Sequence, residues 1–191
     1  VTDFDFNRQR IWRLCNRAAR EIYSRTPANE QYAHRVACFL FEIAAVEGAL
    51  RWERQRTPAF DGTVGGFSKW QMETGYIRAA IALLKSRPVE LAQRVTRFVF
   101  ADPNAGLQWL DAMDMSAILW SLRMNDNDAL AIALCRVGWF ASPEPIPSTV
   151  SERYMLWKRY YNTALGAGTV DGYVDAHRIY CADLEAVCLP D

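Results

Sequence analysis

The sequence carries no excess of either charge: 22 Lys and Arg residues balance 22 Asp and Glu residues. A neutral chain exerts no bulk pull on nucleic acid or on an anionic membrane, so neither is an expected partner. Cysteines are few and odd in number, at positions 15, 38, 135, 181 and 188, with no CxxC or Cys/His spacing. That argues against a zinc pattern and a disulfide framework and points to folding in a reducing cytoplasm. Cys38 and Cys135 fall inside apolar helical patterns and are expected as small core residues. His34 and His177 are the only histidines. Neither has a legible partner for a triad or a metal site. Walker, GxGxxG and HExxH patterns are absent, so no cofactor or metal is expected. No run reaches the roughly 20 apolar residues of a membrane span. The first residues, VTDFDFNRQRIWRLCNR, lack the apolar region of a signal peptide.

What is present is a helical pattern with 51% apolar residues, in a chain of 191 residues that is long enough to bury a core unaided. Apolar spacing predicts helices over Phe6–Ser24, Gln31–Leu50, Gly75–Lys85, Val89–Phe98, Ala112–Met124, Asp128–Phe140, Glu152–Tyr161 and Val170–Val187. Asn29 is a candidate N-cap, Pro88 a first-turn proline, and Ser148 a cap after the connector Ser142–Ser148, with its alternating prolines. A loop or small hairpin is expected between Trp52 and Ser68. The fold class is therefore mainly α. Residues 1–25 read as an added helix and docking element, and residues 26–191 as a single domain. Arg8, Arg10, Arg13, Arg17 and Arg20 form a basic face interleaved with Trp12. It reads either as a contact surface for nucleic acid or an acidic protein, or as a solvated face paired with Asp5 and Glu21.

One charge interrupts the apolar run Val36–Leu50. Val36, Leu40, Ile43, Glu47 and Leu50 follow one helical stripe. Glu47 is thus expected to point toward the core and to have a raised pKa, which suits a general acid near neutral pH. The plain alternative is a helix-end residue that reaches solvent or pairs with Arg51 or Arg54. Glu42 is expected on the opposite side, with Arg35.

After Glu47 come Arg51-Trp52-Glu53-Arg54-Gln55, a Gly-rich loop, and Gly65-Gly66-Phe67-Ser68-Lys69-Trp70-Gln71-Met72-Glu73-Thr74. This order resembles the lysozyme-like lytic transglycosylases, and more closely a group of bacteriophage virion proteins that share the fold. Pro143-Glu144-Pro145-Ile146-Pro147, Trp157-Lys158-Arg159-Tyr160-Tyr161-Asn162-Thr163 and Gly166-Ala167-Gly168-Thr169 are similar to the C-terminal half of that phage group. The resemblance covers roughly Val36–Val174. It implies a lysozyme-like helical domain with Glu47 as catalytic acid and base. It places Gln71 in a sugar cleft, with Gly65 and Gly66 letting the loop approach backbone or sugar closely. Trp70 falls on the aromatic position of the cleft or packs in the core, and Tyr161 closes the cleft or packs within its helix. Glu53, Asp61 or Glu73 is offered as a second acid if water attacks. It implies peptidoglycan strands and other virion proteins as partners, with the phage particle, not a signal, carrying the chain to the cell wall. The chain departs from the motif at Gly48, Ser68, Lys69 and Thr74, and Gly48 beside Glu47 predicts a less rigid site. Two readings stay open: a murein lytic transglycosylase acting during DNA injection, or a structural component of the tail, baseplate or core with little activity.

Overall fold

The computed structural model describes residues 3–23, 26–50, 68–101, 127–162, 168–181 and 183. These are mainly helical, with no strand among them. The helices are α1 (Asp3–Glu21), α2 (Glu30–Gly48), α3 (Thr74–Ser86), α4 (Val89–Phe100), α5 (Asp128–Gly138), α6 (Val150–Trp157) and α7 (Val170–Tyr180). A short 3-10 turn, Trp139–Ala141, follows α5, and a π-helical turn, Lys158–Asn162, follows α6. The expected loop between Trp52 and Ser68 and the expected helix Ala112–Met124 lie outside the described residues.

Helix α2 is the axis of the fold. Asn29 caps it, its side chain accepting from Tyr32 N at 2.8 Å. It ends with Ala49 and Leu50 in left-handed conformation, and the N–H groups of these two residues close onto Ala45 O and Ala44 O. Helix α1 lies along it through Ile11, Cys15, Ala18 and Ala19, with Ile22 just past its end, all buried in the same core cluster as α2. The N-terminal helix is thus part of the core packing. The four cysteines described are buried and in no disulfide with one another.

Trp12 is not interleaved with the arginines at the surface. It is buried, edge-on to Phe41 at 5.5 Å and to His34 at 6.2 Å. Several arginines of that face are spent within the fold: Arg17 on Glu21 (3.1 Å), Arg20 on Glu30 (2.9 Å), and Arg10 on Asp128. Helix starts also differ in detail from expectation. Pro88 is the N-cap of α4 rather than its first helical residue. Thr149, not Ser148, caps α6, accepting from Glu152 N while its hydroxyl donates to Glu152 Oε2.

Glu42 overturns the expectation that it faces away with Arg35. It is wholly buried. An amphipathic stripe defines one inner face only when the other face is solvated, and α2 packs on both sides, against α1 on one and α7 on the other. Glu42 accepts from Arg153 Nε (2.8 Å) and Nη2 (2.6 Å), from Tyr173 Oη (2.7 Å), and pairs with His177 Nδ1 (2.8 Å). His177, which has no legible partner in the sequence, finds one here. Burial alone would raise the Glu42 pKa, but the hydrogen bonds from His177, Arg153 and Tyr173 hold it below the ordinary carboxylate value.

Removing one partner of a buried pair leaves an uncompensated charge. Arg153→Leu is therefore expected to lower the unfolding free energy by about 3–5 kcal/mol in urea titrations at pH 7. Because the folded pKa of Glu42 is depressed, its contribution is present above the unfolded-state pKa and is lost as pH falls through the folded value. The gap between wild type and variant should narrow in acid.

Candidate active site

Glu47 occupies the last turn of α2, between the buried Ile43 and Leu50 of its stripe, and is itself only partly buried. Burial pushes its carboxyl up to about 7. Hydrogen bonds from Trp157 and Asn162 oppose that rise, the negative charge of Glu73 adds to it, and the positive charge of Lys158 subtracts. Trp157 Nε1 donates to Glu47 Oε1 at 3.0 Å. The result is a carboxyl group that exchanges its proton near neutral pH while held by a rigid indole donor.

Three pieces of chain meet around this group. The first is the end of α2. The second is the turn Ser68–Met72, which rests directly on Gly48: a Cβ there would sit 2.4 Å from Lys69 O. Gly48 therefore permits a backbone-to-backbone contact, and the looseness expected beside Glu47 is replaced by close packing. Lys69 is buried and paired through Nζ with Asp128 at 2.9 Å, at the start of α5, where Arg10 also binds Asp128. Ser68 takes a left-handed backbone, φ 65°, a region that costs a non-glycine residue about 1–2 kcal/mol. The glycine of the resembled motif falls on this position.

The third piece is the π-helical turn. It places Lys158 Nζ on Asn162 Oδ1 and on Gly168 O, both at 2.8 Å. A Cβ at Gly168 would lie 2.2 Å from the Trp157 ring, so glycine there lets the following segment close over the indole. π-Helical turns occur often at functional sites. Tyr161 ties this piece to the second by donating to Trp70 O, with its ring stacked on Trp139 at 6.0 Å and edge-on to Tyr76 at 5.0 Å.

The structure thus brings together Glu47, Glu73 and the Trp157–Asn162 segment. Glu73 is exposed and close enough to Glu47 to act on it electrostatically. Glu53, Asp61, Gly65 and Gly66 lie outside the described residues. Of the two readings of Trp70, sugar platform or core packing, the structure shows the second: it is fully buried, and its indole donates to Leu40 O at 2.8 Å. Gln71 sits in left-handed backbone, φ 47°, and its amide donates to Ser68 O at 2.5 Å. Tyr161 packs within the fold among aromatic rings. Trp157, Lys158, Asn162 and Gly168 have no physical role legible in the sequence beyond their place in the C-terminal motif, whose spacing is the available signal.

Comparison of the chain with protein-family models, with curated proteins and with solved structures finds no match. Among the described residues no helix is long and apolar enough to cross a membrane.

Two outcomes follow from this geometry. Gly48→Ser inserts atoms against the Lys69 backbone and is expected to cost about 1–3 kcal/mol of stability, read by chemical denaturation. Glu47, with its folded pKa raised, stabilises the fold fully below the unfolded-state pKa, and that contribution is lost as pH rises through about 7. Glu47→Gln, which stays neutral, should therefore gain stability relative to wild type between pH 5 and pH 8, in about the window set by the ordinary and the raised carboxyl pKa.

Proposed function

We propose that this chain is a virion-associated, lysozyme-like protein that cleaves peptidoglycan glycan strands as a lytic transglycosylase, with Glu47 as general acid and then base. The observation that carries the reading is the Glu47 carboxyl, with its pKa near 7, in the last turn of a buried helix and held by the Trp157 indole. The resemblance supplies the substrate class. In this reaction Glu47 gives its proton to the glycosidic oxygen as the C–O bond breaks. Its carboxylate then takes the proton of the sugar hydroxyl that closes the anhydro ring. One carboxyl group suffices for both steps, unlike the two-carboxylate scheme of most glycosidases. The phage-like C-terminal motif supports the reading by acting on the same group, through Trp157, Asn162 and Lys158. The left-handed Ser68 supports it as well, since a motif glycine suits that backbone.

The second reading, a structural virion component that keeps the fold with little activity, draws on Trp70 and Gln71. Both fall where the resemblance expects sugar contacts, yet one is buried and the other bonds its own turn. Purified protein on peptidoglycan separates the two. The enzymatic reading expects release of anhydro-muropeptides, falling above about pH 7 as Glu47 deprotonates. Glu47→Gln should lose the activity by a factor of at least about 100, while Glu73→Gln keeps the anhydro product. Lysis with hydrated products that depends on Glu73 would replace the single-carboxylate mechanism. No lysis by folded protein at any pH, together with its presence in purified particles, would leave the structural reading.

A further inference from the structure

The proline connector, the 3-10 turn after α5, Tyr23 and residues 26–29 line a groove of about 640 Å³. Aromatic rings line it: Tyr23, Tyr32, Trp139 and Phe140. Prolines line it too, Pro27 and, from the connector, Pro143 and Pro145. Tyr32 fixes the connector, its hydroxyl accepting from Ile146 N at 3.3 Å.

Arg136 lines the same groove and is the feature that needs explaining. It is only 4% exposed. Its Nε donates to Ile22 O at 3.3 Å, just past the end of α1, and its guanidinium lies 4.3 Å over the Phe140 ring. Among the described residues no carboxylate pairs with it. Glu144, the carboxylate that lines the groove, is bound to Arg159 and to Tyr160 Oη. Burial pulls the Arg136 pKa down to about 10, as expected of a desolvated charge that no described carboxylate neutralises. A buried cation of this kind is costly until an anion reaches it, and a guanidinium accepts a carboxylate through paired N–H donors.

We propose that this groove binds an extended, proline-containing acidic segment of a partner protein, whose carboxylate pairs with Arg136. Aromatic-lined grooves hold extended proline-rich chain because it is already ordered before binding. The groove is open rather than enclosed, so an acidic side chain within a segment can reach Arg136 without a chain terminus entering. The inference is independent of any chemistry at Glu47.

The test is isothermal titration of the full chain with a blocked peptide, acetyl-Ala-Pro-Glu-Pro-Ala-Ala-amide, against its counterpart with Gln in place of Glu. The Glu peptide should bind about tenfold or more tightly than the Gln peptide, the worth of a hydrogen-bonded charge. Arg136→Gln should erase that difference. Because Arg136 also supports the end of α1, Thr26→Trp provides a second variant: Thr26 is an exposed lining residue, and the indole would add bulk to the groove. Thr26→Trp should weaken the Glu peptide by at least tenfold with the far-ultraviolet spectrum unchanged. Equal affinity of the two peptides, no binding of either, or indifference to Thr26→Trp would overturn the proposal. Binding of a free murein stem peptide but not of the blocked peptide would overturn it too, in favour of a subsite for the cell wall.

Discussion

A single buried carboxylate organises this fold. Glu42 lies at the middle of α2 and draws Arg153 from α6, with Tyr173 and His177 from α7, onto one point. Arg153 stands one helical turn before Trp157. Fixing the guanidinium therefore fixes the height at which the indole meets Glu47. The hydrogen-bonded centre and the candidate active site are two levels of the same helix packing, with the first setting the geometry of the second.

Glu42 and Glu47 share one helix and have opposite fates. Both lose solvation. Glu42 receives enough donors to stay ionised, while Glu47 receives fewer, faces the charge of Glu73, and is pushed up to about 7. Burial alone does not decide the protonation state of a carboxyl group; the number and charge of its partners do. Paired environments that drive two acids apart are a recurrent way of separating a structural charge from a chemical one.

Much of the helical frame was legible in the sequence, because apolar spacing marks long helices well and their ends poorly. The stripe that contains Glu47 was legible for the same reason. Glu42 was not, because α2 packs on two sides and a one-stripe reading assigns its second side to solvent. The motif departures were also opaque. Lys69, where the motif has leucine, makes sense only beside Asp128 and Arg10, which are distant in sequence. Gly48 reads as loss of rigidity in one dimension and as a site of close contact in three. Trp70 shows a third case: its motif position allows a sugar platform or core packing, and the buried carbonyl of Leu40 that its indole reaches decides for the core.

The widened turn Lys158–Asn162 has a consequence for how this segment can vary. Arg159 and Tyr160 are exposed, and a change of side chain there would release Glu144 without disturbing the packing around Glu47. The number of residues is another matter. Taking one out would tighten the turn and rotate everything after it by about 100° around the helix axis. Asn162 would leave Glu47, and Tyr161 would leave the Trp70 carbonyl. Spacing, more than composition, is what this stretch has to preserve.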